Sequence, residues 1–159
     1  MAATKARGVA DVTRALQQYA DRGVFRGFSA SQSRGRWTFH FVWLSRRSMT
    51  MSYDPRTGVL AFAQLFPGVE PRSALLDELK AVVAARTTRA VPAHKRIDGR
   101  RVRLSFAVRR NAASLNLAVR GRHHVYAVQR ALNLVNDLFL TLHASYPDYL
   151  IDQFGFSSE

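Results

Sequence analysis

At 159 residues the chain is long enough for one domain whose core buries well over half of the unfolded surface. It has no cysteine, which excludes disulfides, thiolate nucleophiles and thiolate metal sites. Lys and Arg number 24 against 11 Asp and Glu, a formal net charge of +13, and only Lys5, Lys80 and Lys95 are lysines.

Arginine is suited to bidentate phosphate contacts and to stacking on bases. A charge this high repels itself until a polyanion binds. The expected partner is therefore polyanionic: nucleic acid, an acidic protein or an anionic surface. The first residues lead into a polar amphipathic segment instead of an apolar signal core, and no run approaches the ~20 apolar residues of a membrane span. The expectation is a cytoplasmic protein with no membrane span, a single domain over 1–159, with a flexible N-terminus at 1–8.

In residues 9–21, Val9, Val12, Leu16 and Tyr19 recur at spacings of three and four, one apolar helix face, with Gly23 as a stop signal. Val24 to Ala30 reads as a strand in which Gly27 marks a bulge or a close backbone approach. Ser29 to Gly35 reads as a polar loop. The stretch 36–44 is the organising strand. At strand period Trp37, Phe39, Phe41 and Trp43 share one face, and Thr38, His40, Val42 and Leu44 share the other. Arg34, Arg36, Arg46 and Arg47 bracket it. As a buried strand it supplies the core. As an exposed one it is a stacking platform for unpaired bases. Core packing favours burial for Phe39 and Phe41. Trp37 and Trp43, at the strand ends beside arginines, are the two able to reach a ligand.

Ser48 to Tyr53 alternates cleanly, with Met49, Met51 and Tyr53 opposite Ser48, Thr50 and Ser52. Asp54 to Gly58 is a turn. Val59 to Phe66 is apolar on both faces and reads as an interior strand. A helix is predicted from about residue 70 to 86, opened by Glu70 and Pro71 and buried through Leu75, Leu76, Leu79, Val82 and Val83. Residues 89–100 carry many cations and little pattern. Two alternating strands follow around an Arg110–Ala113 turn. Val102, Leu104, Phe106 and Val108 pair with Leu115, Leu117 and Val119 on the core face. Arg101, Arg103, Arg109 and Arg120 are expected on the other. A long apolar helix is predicted over 122–145. Pro147 stops it, and 147–159 is an acidic, aromatic tail.

The resulting class is α+β: one mainly antiparallel sheet of about six strands in the order α-ββββ-α-ββ-α, with helices mostly on one face. In element order alone this is similar to the type III secretion chaperone-like fold and to the Whirly/Pur type of single-strand nucleic-acid binder. No motif of either family is present, and element order by itself carries no function.

No phosphate loop, dinucleotide fingerprint, Gly-x-Ser-x-Gly or His-Glu-x-x-His occurs. The carboxylates fall in helix starts, turns and the tail. His123 and His124 diverge on a helix, a poor metal pair. The expectation is a non-enzymatic protein with no metal, no cofactor and no catalytic residue. Its ligand would be single-stranded nucleic acid, held by Arg101, Arg103, Arg109, Arg120, Arg36, Arg46 and Arg47 with Trp37 and Trp43. The alternative is a small chaperone-like or adaptor module, monomer or homodimer, that takes an acidic or extended protein segment by strand addition.

Overall fold

The computed structural model describes residues 2–156, and side chains from residue 7 onward. The elements run α1 (Ala2–Asp21), β1 (Arg26–Ser33), β2 (Arg36–Val42), β3 (Ser48–Asp54), β4 (Val59–Pro67), α2 (Ala74–Ala85), β5 (Val102–Arg109), β6 (Ala112–Val119), α3 (His124–Ser145) and α4 (Pro147–Phe154). The six strands form one sheet in the order β1-β2-β3-β4-β6-β5, and every neighbouring pair is antiparallel. The expected α+β class and element order are therefore observed, with α4 added at the end.

Alternation decides which face of the sheet is covered. Phe39, Phe41, Met51, Tyr53, Leu60, Phe62, Leu115 and Leu117 are buried on one side. Their neighbours Thr38, His40, Thr50, Ser52, Ala61, Ser114 and Asn116 lie on the other. All the helices serve the first side. α3 is central, its stripe from Ala127 to Leu142 buried, and α1, α2 and α4 pack against it. Phe25 extends the aromatic ladder: its ring stacks 4.1 Å from Phe41 and meets Trp43 edge-on at 5.7 Å.

Several boundaries differ from the sequence expectation, each for a local reason. α1 includes residues 2–8, expected to be flexible. β1 continues through Ser33, where a loop was expected, because Ala30, Ser31, Gln32 and Ser33 find partners in Phe39, Thr38, Trp37 and Arg36. The hairpin then turns through two residues, Arg34 and Gly35, both at positive φ as such turns require. Arg110 and Asn111 form the corresponding turn between β5 and β6. α2 starts at Ala74, not near Pro71, because Ser73 is its N-cap: the Ser73 hydroxyl accepts from the Leu76 N–H at 3.2 Å. Pro147 ends one helix but opens another, in keeping with proline's tolerance at a first turn. Within β4, pairing with β6 is interrupted between Phe62 and Phe66, and Gln64 sits in this bulge at φ 57°.

Two buried polar clusters tie the layers together. Arg86, 1% exposed at the end of α2, donates to the Lys95 carbonyl at 3.2 Å, to Asn133 Oδ1 at 2.9 Å and to the Asp137 carboxylate. Lys95 adds a 3.4 Å contact to the same carboxylate. The cationic segment 89–100 is thereby anchored. Ile97 is buried, and the Arg96 carbonyl accepts from Tyr126 Oη at 3.1 Å and from Arg130 Nε at 3.0 Å. Arginine acts here as a clamp on backbone carbonyls. The second cluster joins β3, α3 and α1. Tyr53 Oη and His124 Nε2 are 2.8 Å apart in the interior, and Gly8 passes so close that a Cβ there would lie 2.7 Å from Tyr53 Oη.

Two outcomes follow. Asp137→Ala leaves a buried guanidinium short of its counter-ion and should cost about 3–5 kcal/mol, whereas Arg86→Met with Asp137→Leu should cost much less; urea unfolding midpoints measure both. Burial lowers the pKa of His124 below its ordinary value. The unfolded chain therefore binds the proton first as pH falls, so the stability this neutral imidazole contributes is present above about pH 6.5 and declines below it. His124→Gln should flatten the stability profile between pH 7.5 and pH 5.

Candidate functional site

The uncovered face of the sheet is built mostly from small side chains, hydroxyl-bearing on β1 and β3 and apolar on β4. One cross-strand row reads Ser31, Thr38, Ser52, Ala61, Asn116 and Ser105 from β1 to β5. A second begins Ser29, His40 and Thr50, with His40 Nδ1 and Thr50 Oγ1 3.2 Å apart. A third contains Ser33, Arg36, Asp54, Val59, Ala118 and Arg103. With strands about 4.8 Å apart, Arg36 and Arg103 stand roughly 19 Å from each other across this face. Asp54 is the only carboxylate in any strand among the described residues, and Arg36 lies 3.7 Å from it.

The residues expected to bind a polyanion do not form one patch. Arg103 and Arg109 project, exposed, from the open face of the edge strand β5, at opposite ends of it. Arg36 joins them across the sheet. Arg101 precedes β5, which starts at Val102, and the alternation no longer applies to it. Its guanidinium lies 5.0 Å over the Tyr126 ring, on the helix side, and 3.8 Å from Asp98. Arg120 follows β6 and is exposed at the same end, its backbone N–H bonded to the Arg101 carbonyl. Arg46 and Arg47 lie in the β2–β3 loop, at the far end. Arg47 is engaged by α4: it donates to the Gln153 carbonyl at 2.7 Å and sits 5.8 Å from the Phe154 ring centre.

Both tryptophans are on the helix side. Trp37 borders a shallow groove beside Val9, Thr13 and Gln17 of α1. Trp43 packs on Phe25 and lines a cleft closed by the end of α4. The open face therefore carries no aromatic ring from the ladder, because Phe39 and Phe41 are fully buried and the tryptophans share their side of the strand.

The cleft beside Trp43 brings together residues far apart in sequence. Arg26, Val42, Trp43, Leu44, Arg46, Phe154 and Phe156 line a volume of about 440 Å³. Neither Arg26 nor Arg46 is paired with a carboxylate among the described residues. Sequence reasoning included Trp43 and Arg46 but missed Arg26 and the two phenylalanines. The only available signal was the aromatic character of the C-terminal tail.

No helix among the described residues is long and apolar enough to cross a membrane. Comparison with family models, with curated proteins and with solved structures returned no match to this chain.

Arg47 holds the last turn of α4, where a cation also suits the negative end of the helix dipole. Arg47→Ala should speed amide hydrogen exchange over residues 150–156 while leaving β5 and β6 unchanged.

Proposed function

We propose that this chain is a non-enzymatic binding protein that holds single-stranded nucleic acid along the open face of its sheet. One observation carries the reading: a six-stranded face left uncovered by helices, made of serine, threonine, asparagine and alanine, bordered by Arg36, Arg103 and Arg109, with Asp54 as its single carboxylate among the described residues. Hydroxyl, amide and guanidinium groups are the donors that phosphate and sugar oxygens accept from, and small side chains let the backbone of a strand approach closely. The net charge of +13 supplies the long-range attraction. Because the ladder faces the helices, contact on this face is led by phosphate and not by stacking, and sequence preference should be slight.

A second reading is favoured by β1. This eight-residue edge strand is exposed at every position except Phe28, and among the described residues no strand pairs with its outer edge. An open edge accepts an added strand from an extended protein segment or from a second copy of the chain. This supports the adaptor alternative.

Fluorescence anisotropy with a labelled oligonucleotide separates the two. Binding should weaken steeply with salt. Each phosphate contact contributes about −0.7 to the slope of log affinity against log salt for a single strand, so Arg103→Glu with Arg109→Glu should lessen the slope by roughly 1.4. The loss should be alike for all sequences. Absence of binding at low salt, or unchanged affinity in the double variant, removes the open face as the site. Partners that survive nuclease treatment in a pull-down and are lost when proline is placed in β1 would support the adaptor.

A further inference from the structure

Among the described residues, five non-glycine residues have positive φ: Arg34, Leu44, Gln64, Arg110 and Asn111. Arg34, Arg110 and Asn111 form the two-residue hairpin turns, and Gln64 sits in the β4 bulge. Leu44, at φ 67°, belongs to neither kind of feature. A left-handed backbone is unfavourable for a residue with a Cβ, and such strain gathers where a site is shaped. Leu44 lines the cleft at the β2–β3 end, between Trp43 and the loop that carries Arg46. The volume of about 440 Å³ lies within the range of small-molecule sites.

The chemistry of the walls selects the occupant. Trp43, Phe154 and Phe156 offer aromatic surface, and Arg26 and Arg46 offer two planar guanidinium groups. No carboxylate lines the cleft among the described residues. A ligand matching both halves is a flat ring that carries an anion. Arg26 is in register with Val42, on the rim of the open face, so the cleft is continuous with the surface assigned to the nucleic-acid strand. We propose that the cleft binds a nucleotide, its base against Trp43 and Phe156 and its phosphate between Arg26 and Arg46. This deepens the nucleic-acid reading and rests on it: the face would track the backbone, and the cleft would take one terminal nucleotide.

A free nucleotide and the end of a strand share this chemistry, and the test distinguishes them. The chain has two tryptophans, so Trp37→Phe leaves Trp43 as the sole indole reporter; the wild type is titrated in parallel in case that variant is poorly folded. The probes are AMP, adenosine, and an oligonucleotide with or without a terminal phosphate. Saturable quenching by AMP is expected, with adenosine weaker by about tenfold or more, since each lost hydrogen bond to a charged group is worth at least that factor. Arg26→Ala with Arg46→Ala should abolish the difference between AMP and adenosine. Stronger quenching by the phosphorylated than by the unphosphorylated oligonucleotide identifies a strand end as the ligand, and quenching by AMP alone identifies a free nucleotide. Equal binding of adenosine and AMP, an unaltered response in the arginine double variant, or no quenching by any probe overturns the assignment. Oligonucleotide binding that depends on Arg103 and Arg109 but leaves Trp43 silent would sink the cleft and spare the open face; an AMP response without oligonucleotide binding would do the reverse.

Discussion

Burial on one side only is the constraint on which the rest of the structure depends. β2, β3, β4 and β6 each place large apolar side chains toward the helices; β2, β3 and β6 place mostly polar or small ones away, and β4 places Val59, Ala61 and Ala63 there. A large aromatic contributes more to a core than any other side chain type, and Phe39, Phe41, Phe62 and Phe66 are all fully buried. Once those rings face the helices, the strand period leaves serine, threonine and asparagine for the water side. A six-stranded sheet covered on one face thus exposes a broad polar surface without any further device.

The arginines divide into two populations, and the division changes what the charge means. Some are structural. Arg86 is enclosed among Asp137, Asn133 and the Lys95 carbonyl, Arg96 donates to the Thr88 and Val91 carbonyls, and Arg47 holds the Gln153 carbonyl. A guanidinium presents several donors in a fixed plane, so one side chain satisfies several carbonyls at once, which lysine cannot do in the same geometry. Others, including Arg103, Arg109 and Arg120, are exposed at the sheet margin with no carboxylate beside them among the described residues. Net charge counts both populations alike. Only the second is available to a partner.

The two candidate surfaces complement each other physically. The open face is hydroxylated, edged with cations and free of ladder aromatics. The cleft at its rim holds Trp43, a partly exposed ladder aromatic, together with Arg26 and Arg46. The ladder aromatics and the arginines of β5 lie on opposite sides of the sheet, so the exposed cations of β5 have no ladder ring beside them, whereas Arg26 and Arg46 share a cleft with Trp43.

Periodicity alone carried the element order, the antiparallel class and the inward set of Met51, Tyr53, Leu115 and Leu117, because alternation and helical spacing are local consequences of what a residue buries. It also carried Arg103 and Arg109, which lie within a regular strand. It failed for Arg101, one residue before the strand start, where the pleat no longer dictates direction and Tyr126 draws the guanidinium to the helix side. The partners of Arg86, the Tyr53–His124 contact and the convergence of Arg26, Trp43 and Phe156 lay outside its reach. Each joins residues from separate elements, and only the packing of α3 and α4 against the sheet brings them within contact. Local pattern determined which residues turn inward; the tertiary structure decided which of them meet, because meeting depends on how whole elements pack and not on the order of residues within one.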